Sequence, residues 1–128
     1  MIRTQKYAKL AYPLVAAVQD IAIEPKYRTL ALTFPAMVMQ SGLSQAIGFL
    51  MAKGNEEHQL MLSHIATLLS YQGNNATDTM HQAILSSDLS KYQLLTRNTL
   101  EATSWLKRYT QALLEKEGAN QPDTVNEE

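Results

Sequence analysis

Residues 87–118 read SDLSKYQLLTRNTLEATSWLKRYTQALLEKEG. Within this stretch Tyr92, Leu95, Thr99, Ala102, Leu106, Tyr109 and Leu113 are spaced 3, 4, 3, 4, 3 and 4 residues apart. That spacing lays one narrow stripe along a helix over three heptads. Ser87 or Asp88 is placed to cap the start, and Gly118 follows the final charged turn. Thr99 and Ala102 are weak residues for a free coiled coil, so the stripe is expected to face neighbouring helices of the same domain.

The rest of the chain divides at its breakers. A first segment runs from about Ile2 to Ile23, with Tyr7, Leu10, Ala11, Leu14, Val18 and Ile21 at helical spacing. Pro13 inside it predicts either a kink or a short turn before a new start. Glu24-Pro25 is expected to end the segment, because the residue before a proline is pushed out of the α region. Tyr27 to Phe34 reads as a short helix, and Pro35 suits the first turn of another, Ala36 to Ser41. Gly42 permits a sharp turn, and Leu43 to Lys53 continues helical until Gly54. Asn55 is a good N-cap, with Glu56 and Glu57 in the favourable first turn of a helix expected to reach about Gln72. Gly73-Asn74-Asn75 then breaks the chain, and Thr77 or Asp78 can cap a short helix through Leu85.

Composition agrees with a helical reading. Leu and Ala total 33 residues against 10 for Val and Ile, so helix formers outnumber strand-preferring aliphatics about threefold. No stretch alternates with period two. The expectation is an all-α bundle of about five to six helices with a long C-terminal helix, formed by one domain over residues 1–118. Residues 119–128 have no apolar pattern, contain Pro122, and are expected to form a disordered acidic tail.

Charge is balanced overall and uneven along the chain. Eleven Lys and Arg face twelve Asp and Glu, a formal net charge of −1. Residues 1–114 hold ten bases and seven acids, a net of +3, whereas the remainder holds five acids and Lys116, a net of −4. A mildly basic body excludes a histone-like polybasic binder and an acidic disordered chain. There is no cysteine, hence no disulfide framework and no thiolate ligand or nucleophile. The apolar run from Leu10 to Ile23 is broken by Pro13, Gln19 and Asp20, which fits neither a signal peptide nor a membrane span. A cytoplasmic protein with no membrane partner is expected.

Catalytic and metal-binding patterns are missing. His58 and His64 are six residues apart, roughly 120° around a helix, and His81 lies across a loop. Neither HExxH nor Glu-x-x-His occurs, so these read as surface or cap histidines, with no metal or other cofactor expected. No nucleophile elbow, P-loop or dinucleotide fingerprint is present. Asn75-Ala76-Thr77 matches a glycosylation sequon but reads better as a loop leading into a cap. No catalytic residue and no small-molecule substrate are expected.

Basic residues offer phosphate contacts instead. Arg97 and Arg108 are eleven apart, so they share a face roughly opposite the buried stripe, about 16 Å from each other along the axis. Lys107 is rotated off by about 100°. Arg3, Lys6 and Lys9 form a second group, with no acid before Asp20. Such cations can each meet a phosphate, or simply be a solvated face in which Glu101 pairs with Arg97 at i,i+4. A helix-turn-helix regulator would need a more strongly basic recognition helix than this one.

Residues 34–54 read FPAMVMQSGLSQAIGFLMAKG. This resembles the signature of the small helical subunit of type III-B CRISPR (Cmr) effector complexes. In that family a proline enters a helix, an Asn/Ser-Gly-Leu elbow follows, and a Gln-(Ala/Thr)-x-x-Phe-Leu run leads out. Gln5-Lys6-Tyr7-Ala8, Tyr27-Arg28, Tyr92 with Thr96-Arg97, and Trp105-Leu106-Lys107-Arg108-Tyr109 agree in order and spacing, so the resemblance spans about residues 5–114. Asn98 departs from it, where the family usually has an acid after Thr-Arg. The resemblance implies a non-catalytic helical bundle whose copies stack as a minor filament beside the backbone subunits holding the guide RNA. Cleavage would belong to the backbone and large subunits. Expected partners are those subunits, copies of the chain itself, and the guide–target RNA. Arg97, Lys107, Arg108 and Lys53, with Lys6 and Lys9, are the expected contacts to RNA phosphates. The alternative is a purely structural subunit whose bases meet only protein.

Overall fold

The long helix expected from the seam is α6 (Leu89–Leu113), and the other helices are arranged around it. The structure, a computed structural model, describes residues 2–114. Of the two capping candidates Asp88 is used: its carboxylate accepts the Lys91 N–H at 2.9 Å. Leu95, Thr99, Ala102 and Leu106 are buried as the spacing predicts, while Tyr92, Tyr109 and Leu113 form half-buried edges. Small residues in the seam let neighbouring backbones approach closely, and Thr103 satisfies its buried hydroxyl by donating to the Thr99 carbonyl at 2.7 Å.

Two helices flank α6 in opposite senses. α1 (Arg3–Ala16) runs parallel to its C-terminal half: Arg3 pairs with Glu101, Thr4 with Trp105, Tyr12 with Tyr109, and Gln19 just beyond α1 with Leu113. α2 (Glu24–Ser41) returns antiparallel, so that its far end leads to Ser44, whose N–H donates to the Tyr92 hydroxyl at 3.0 Å. α3 (Leu43–Lys53), α4 (Glu56–Leu68) and α5 (Ala76–Ser86) close the other side, with α4 touching α1, α2, α3, α5 and α6. Tyr7, Val15, Tyr27, Phe34, Ile47, Leu50, Ile65, Met80 and Leu106 belong to one shared core. Among the described residues the architecture is all-α with six helices.

Several expected boundaries move. Glu24-Pro25 starts a helix rather than ending one, because Pro25 sits in the first turn where its missing N–H costs nothing. The chain has already left α1 at Ala16, and Asp20 takes a left-handed φ of 65° in the connecting turn. Buried Glu24 holds that turn by accepting the Asp20 N–H at 2.9 Å. Pro13 lies in the last turn of α1, and α1 neither restarts after it nor is interrupted. Pro35 begins no new helix either; α2 passes through it. An interior proline costs about 3 kcal/mol. Here Tyr27, Leu30, Ala31, Phe34 and Val38 form one buried stripe across it, and that packing outweighs the lost bond.

α4 stops four residues earlier than Gln72. Ser70 adopts a left-handed φ of 74°, Ser70 N–H donates to Thr67 O, and Tyr71 N–H donates to Ala66 O. That pair of bonds is a Schellman motif built on serine instead of glycine. α5 starts earlier than read, with Asn75 at the N-cap position and Thr77 and Asp78 inside the first turn. The expected helix end at Gly118 and the tail at 119–128 lie outside the described residues.

Candidate nucleic-acid interface

Charge on the α1–α6 side is arranged by one ion pair. The Arg3 Nε donates to Glu101 Oε1 at 2.7 Å. Glu101 is the sole carboxylate in the sequences of α1 and α6, so this pair neutralises the only negative side chain of either helix. The i,i+4 partnership expected between Arg97 and Glu101 is therefore replaced by a bond between helices. Arg97 is exposed and makes no ion pair among the described residues. It stands close enough for its charge to be felt at Tyr7. Burial raises the pKa of that phenol, and the Arg3 guanidinium, Glu101 and Arg97 act on it more weakly.

Arg108 is exposed like Arg97, which fits the face read from their spacing. Lys107 is half-buried. On α1, Lys6 and Lys9 are exposed but point to different neighbours. The Lys6 ammonium lies 3.5 Å from Ser70 Oγ at the end of α4. Lys9 borders a groove with Gln5, Ala8, Tyr12 and Tyr109. Of the five expected RNA contacts on these two helices, Lys9 lines the α1–α6 groove and Arg108 precedes its Tyr109, whereas Lys6 turns to the α1–α4 side, where it lines a cavity with Ser70 and Tyr71. Lys53 is set apart from them. It ends α3, which packs on α2, α4 and α5, and its ammonium lies 5.8 Å from the Phe49 ring centroid. Phe49 in turn meets His58 edge-on at 5.8 Å.

Two of the three histidines are not surface or cap residues, while His81 is half-buried within α5. His58 and His64 are both buried, and the Tyr27 hydroxyl lies 2.7 Å from His64 Nδ1. Burial lowers the His64 pKa to about 4, so the ring is neutral at pH 7, and burial raises the Tyr27 phenol well above its ordinary value. Among the described residues no three His, Cys, Asp or Glu side chains gather as metal ligands would. No described helix is long and apolar enough to cross a membrane.

Aromatic residues of the α1–α6 groove were missed by charge-based reading. Tyr12 packs edge-on to Tyr109 at 5.3 Å and 82°, and Trp105 lies behind Tyr109 at 5.5 Å. The one available signal was the i,i+4 spacing of Trp105 and Tyr109; nothing in the sequence pairs them with Tyr12, almost a hundred residues away.

Comparison with known proteins places this arrangement. The family model described as CRISPR-associated protein (Cas_Cmr5) matches residues 3–113, nearly the whole described chain. The chain belongs to the Cmr5 family. The CRISPR system Cmr subunit Cmr5 of Thermus thermophilus is 35% identical over 114 residues, which cover 89% of this chain and 97% of the relative. The crystal structure of a CRISPR-associated Cmr5 family protein from the same organism superimposes with a TM-score of 0.83, covering 90% of this chain and 99% of that one at 35% identity. The Cmr5-type bundle therefore accounts for α1 to α6 together, the elbow at Gly42 included.

Proposed function

We propose that this Cmr5-family chain is a non-catalytic subunit of a type III-B CRISPR (Cmr) ribonucleoprotein complex in the cytoplasm, where stacked copies help hold target RNA. The α1–α6 surface would meet RNA phosphates through Arg97, Arg108 and Lys9, with Lys6 and Lys107 contributing from its flanks. The observation that carries this reading is the Arg3–Glu101 pair: it removes the one carboxylate from a surface otherwise furnished with cations. Lys53 belongs to a different surface and would contact RNA only if the strand also passed α3. One copy offers few contacts, so affinity would be low, without sequence preference, and raised by repetition along the assembly.

The test is Arg97→Glu with Arg108→Glu in reconstituted complexes. Assembly is expected to survive while target-RNA affinity at low salt falls. The slope of log K against log salt should become shallower by about 0.7 per lost contact on a single strand or about 0.9 on a duplex. Unchanged RNA affinity in intact complexes would remove these two arginines from the interface.

A purely structural reading has its own support. Met39, Leu85, Leu89 and Leu94 are exposed at the end of the bundle where α2 and α5 finish and α6 begins, Met39 at 75% and Leu89 at 71%. Exposed apolar side chains at one end suit a contact with protein. Loss of assembly in the arginine variants would favour this reading, with the bases bridging to neighbouring subunits.

A further inference from the structure

We propose that the groove between α1 and α6 lined by Gln5, Ala8, Lys9, Tyr12 and Tyr109 takes an unpaired nucleobase of single-stranded RNA. This inference rests on the reading that RNA reaches the α1–α6 surface, and adds to it a contact that phosphate electrostatics does not supply.

The groove has a volume of about 550 Å³, and its walls come from both helices. Gln5, Ala8, Lys9 and Tyr12 face it from α1 because they fall at helical i, i+3, i+4 and i+7 positions. Tyr12 is 50% exposed, so part of it is open to solvent although its ring packs nearly perpendicular to that of Tyr109. The opposite wall is held from behind. Trp105 lies against Tyr109 with the rings tilted by 32°, and its Nε1–H donates to Thr4 Oγ1 at 3.0 Å. A preordered aromatic surface loses little conformational entropy when a planar ligand stacks on it.

Charge decides the class of planar ligand. Lys9 lies in the groove wall, and Arg108 precedes Tyr109 on the exposed face of α6. α1 contains no acid, and α6 contains none after Glu101, which Arg3 already holds. The groove thus combines an apolar aromatic floor with a cationic rim. A nucleotide matches both, with its base on the rings and its phosphate on Lys9. Stacking of bases on aromatic side chains beside a basic track is how single strands are bound without sequence readout. The Gln5 amide, both donor and acceptor, tolerates any base edge. A neutral apolar side chain from another protein would use the rings and leave the cations idle.

Stacking needs a base that is not paired, so the experiment compares single-stranded with duplex RNA of equal length. The full chain is titrated at low salt by fluorescence anisotropy with oligouridine and with a duplex, alongside a single strand carrying 2-aminopurine. The expected results are tighter binding of the single strand, quenching of 2-aminopurine on binding, and a loss of roughly five- to a hundredfold in single-strand affinity for Tyr12→Ala, as for one stacked base. Tyr12→Phe, which keeps the ring, should restore the preference for the single strand. Lys9→Gln should flatten the salt slope by about 0.7.

If Arg97→Glu with Arg108→Glu weakens RNA binding while Tyr12→Ala does not, the groove is not a base site and the phosphate reading stands alone. If neither set has any effect, or the full chain binds no RNA at all, both readings fall. Equal weakening of single-strand and duplex binding by Tyr12→Ala overturns the stacking contact. So does a Tyr12→Ala effect confined to self-association or to an acidic peptide.

Discussion

His64 holds its imidazole 2.7 Å from the Tyr27 hydroxyl in the core, where a positive charge is poorly solvated. Its native pKa is near 4, against 6.5 when exposed, so the unfolded chain binds the proton first. The stabilising preference for neutral imidazole is fully present above pH 6.5 and is lost progressively as the pH falls towards 4. A gap of this size corresponds to about 3 kcal/mol at most. Urea midpoints measured from pH 7 to pH 4 should therefore decline, and His64→Gln should decline less over the same window. Equal declines would assign the effect to carboxylates instead. Six-residue spacing said only that His58 and His64 point to different sides of one helix. That both sides of α4 are covered depends on how α2 and α3 pack against it: Tyr27 reaches His64 from 37 residues away, and Phe49 of α3 folds back on His58.

Helix ends show where local chemistry is decisive and where it is not. Asp88 combines a side chain able to cap with the position where α6 begins, and it was readable as one of two candidates. Asp88→Ala should cost about 1 kcal/mol, within the 0.5–2 kcal/mol typical of lost caps, by urea denaturation. Ser70 offered no signal, since a serine in the left-handed conformation looks like any other serine in sequence. Ser70→Gly relieves that conformation and should raise stability by about 1 kcal/mol in the same assay; a loss would mean the side chain's contact with Lys6 matters more. Gly42 was readable as a turn because its φ of 88° and ψ of 160° suit glycine alone. Pro25 and Pro35 were misplaced for different reasons: Pro25 sits in the first turn of α2, where its missing N–H costs nothing, whereas Pro35 is interior. Proline rules state what the backbone forfeits locally, and the stripe of α2 returns more through packing against α6 and α4 than Pro35 removes.

Across the whole molecule, the near-zero net charge conceals two regions of opposite sign. Removing residues 119–128 deletes Asp123, Glu127 and Glu128 and shifts the formal net charge from −1 to +2. RNA affinity at low salt should rise on this deletion, and the difference should vanish as screening increases. Identical affinities at low salt would mean that the acidic residues do not oppose RNA contact. Of the six lysines and arginines expected to meet RNA, five belong to α1 and α6 and Lys53 to α3, and of the five Lys6 turns to the α4 side. Helical spacing located Arg97 and Arg108 on one exposed face because both belong to one rigid helix. It had no means of setting Lys9 beside Tyr109, or Arg3 against Glu101, since those distances depend on α1 running parallel to α6.

By itself the sequence determined the helical class, the long seamed helix with a cap at Ser87 or Asp88, the Gly42 elbow and the family resemblance, all of which rest on residues near one another in the chain. Tertiary structure alone decided which partners cover the seam, that two histidines are buried, that α2 survives Pro35, and which cations share a surface with an aromatic groove. The division has one physical cause. Backbone preference and helical periodicity act within a few residues, whereas burial, ion pairing and groove formation are set by which helices pack together.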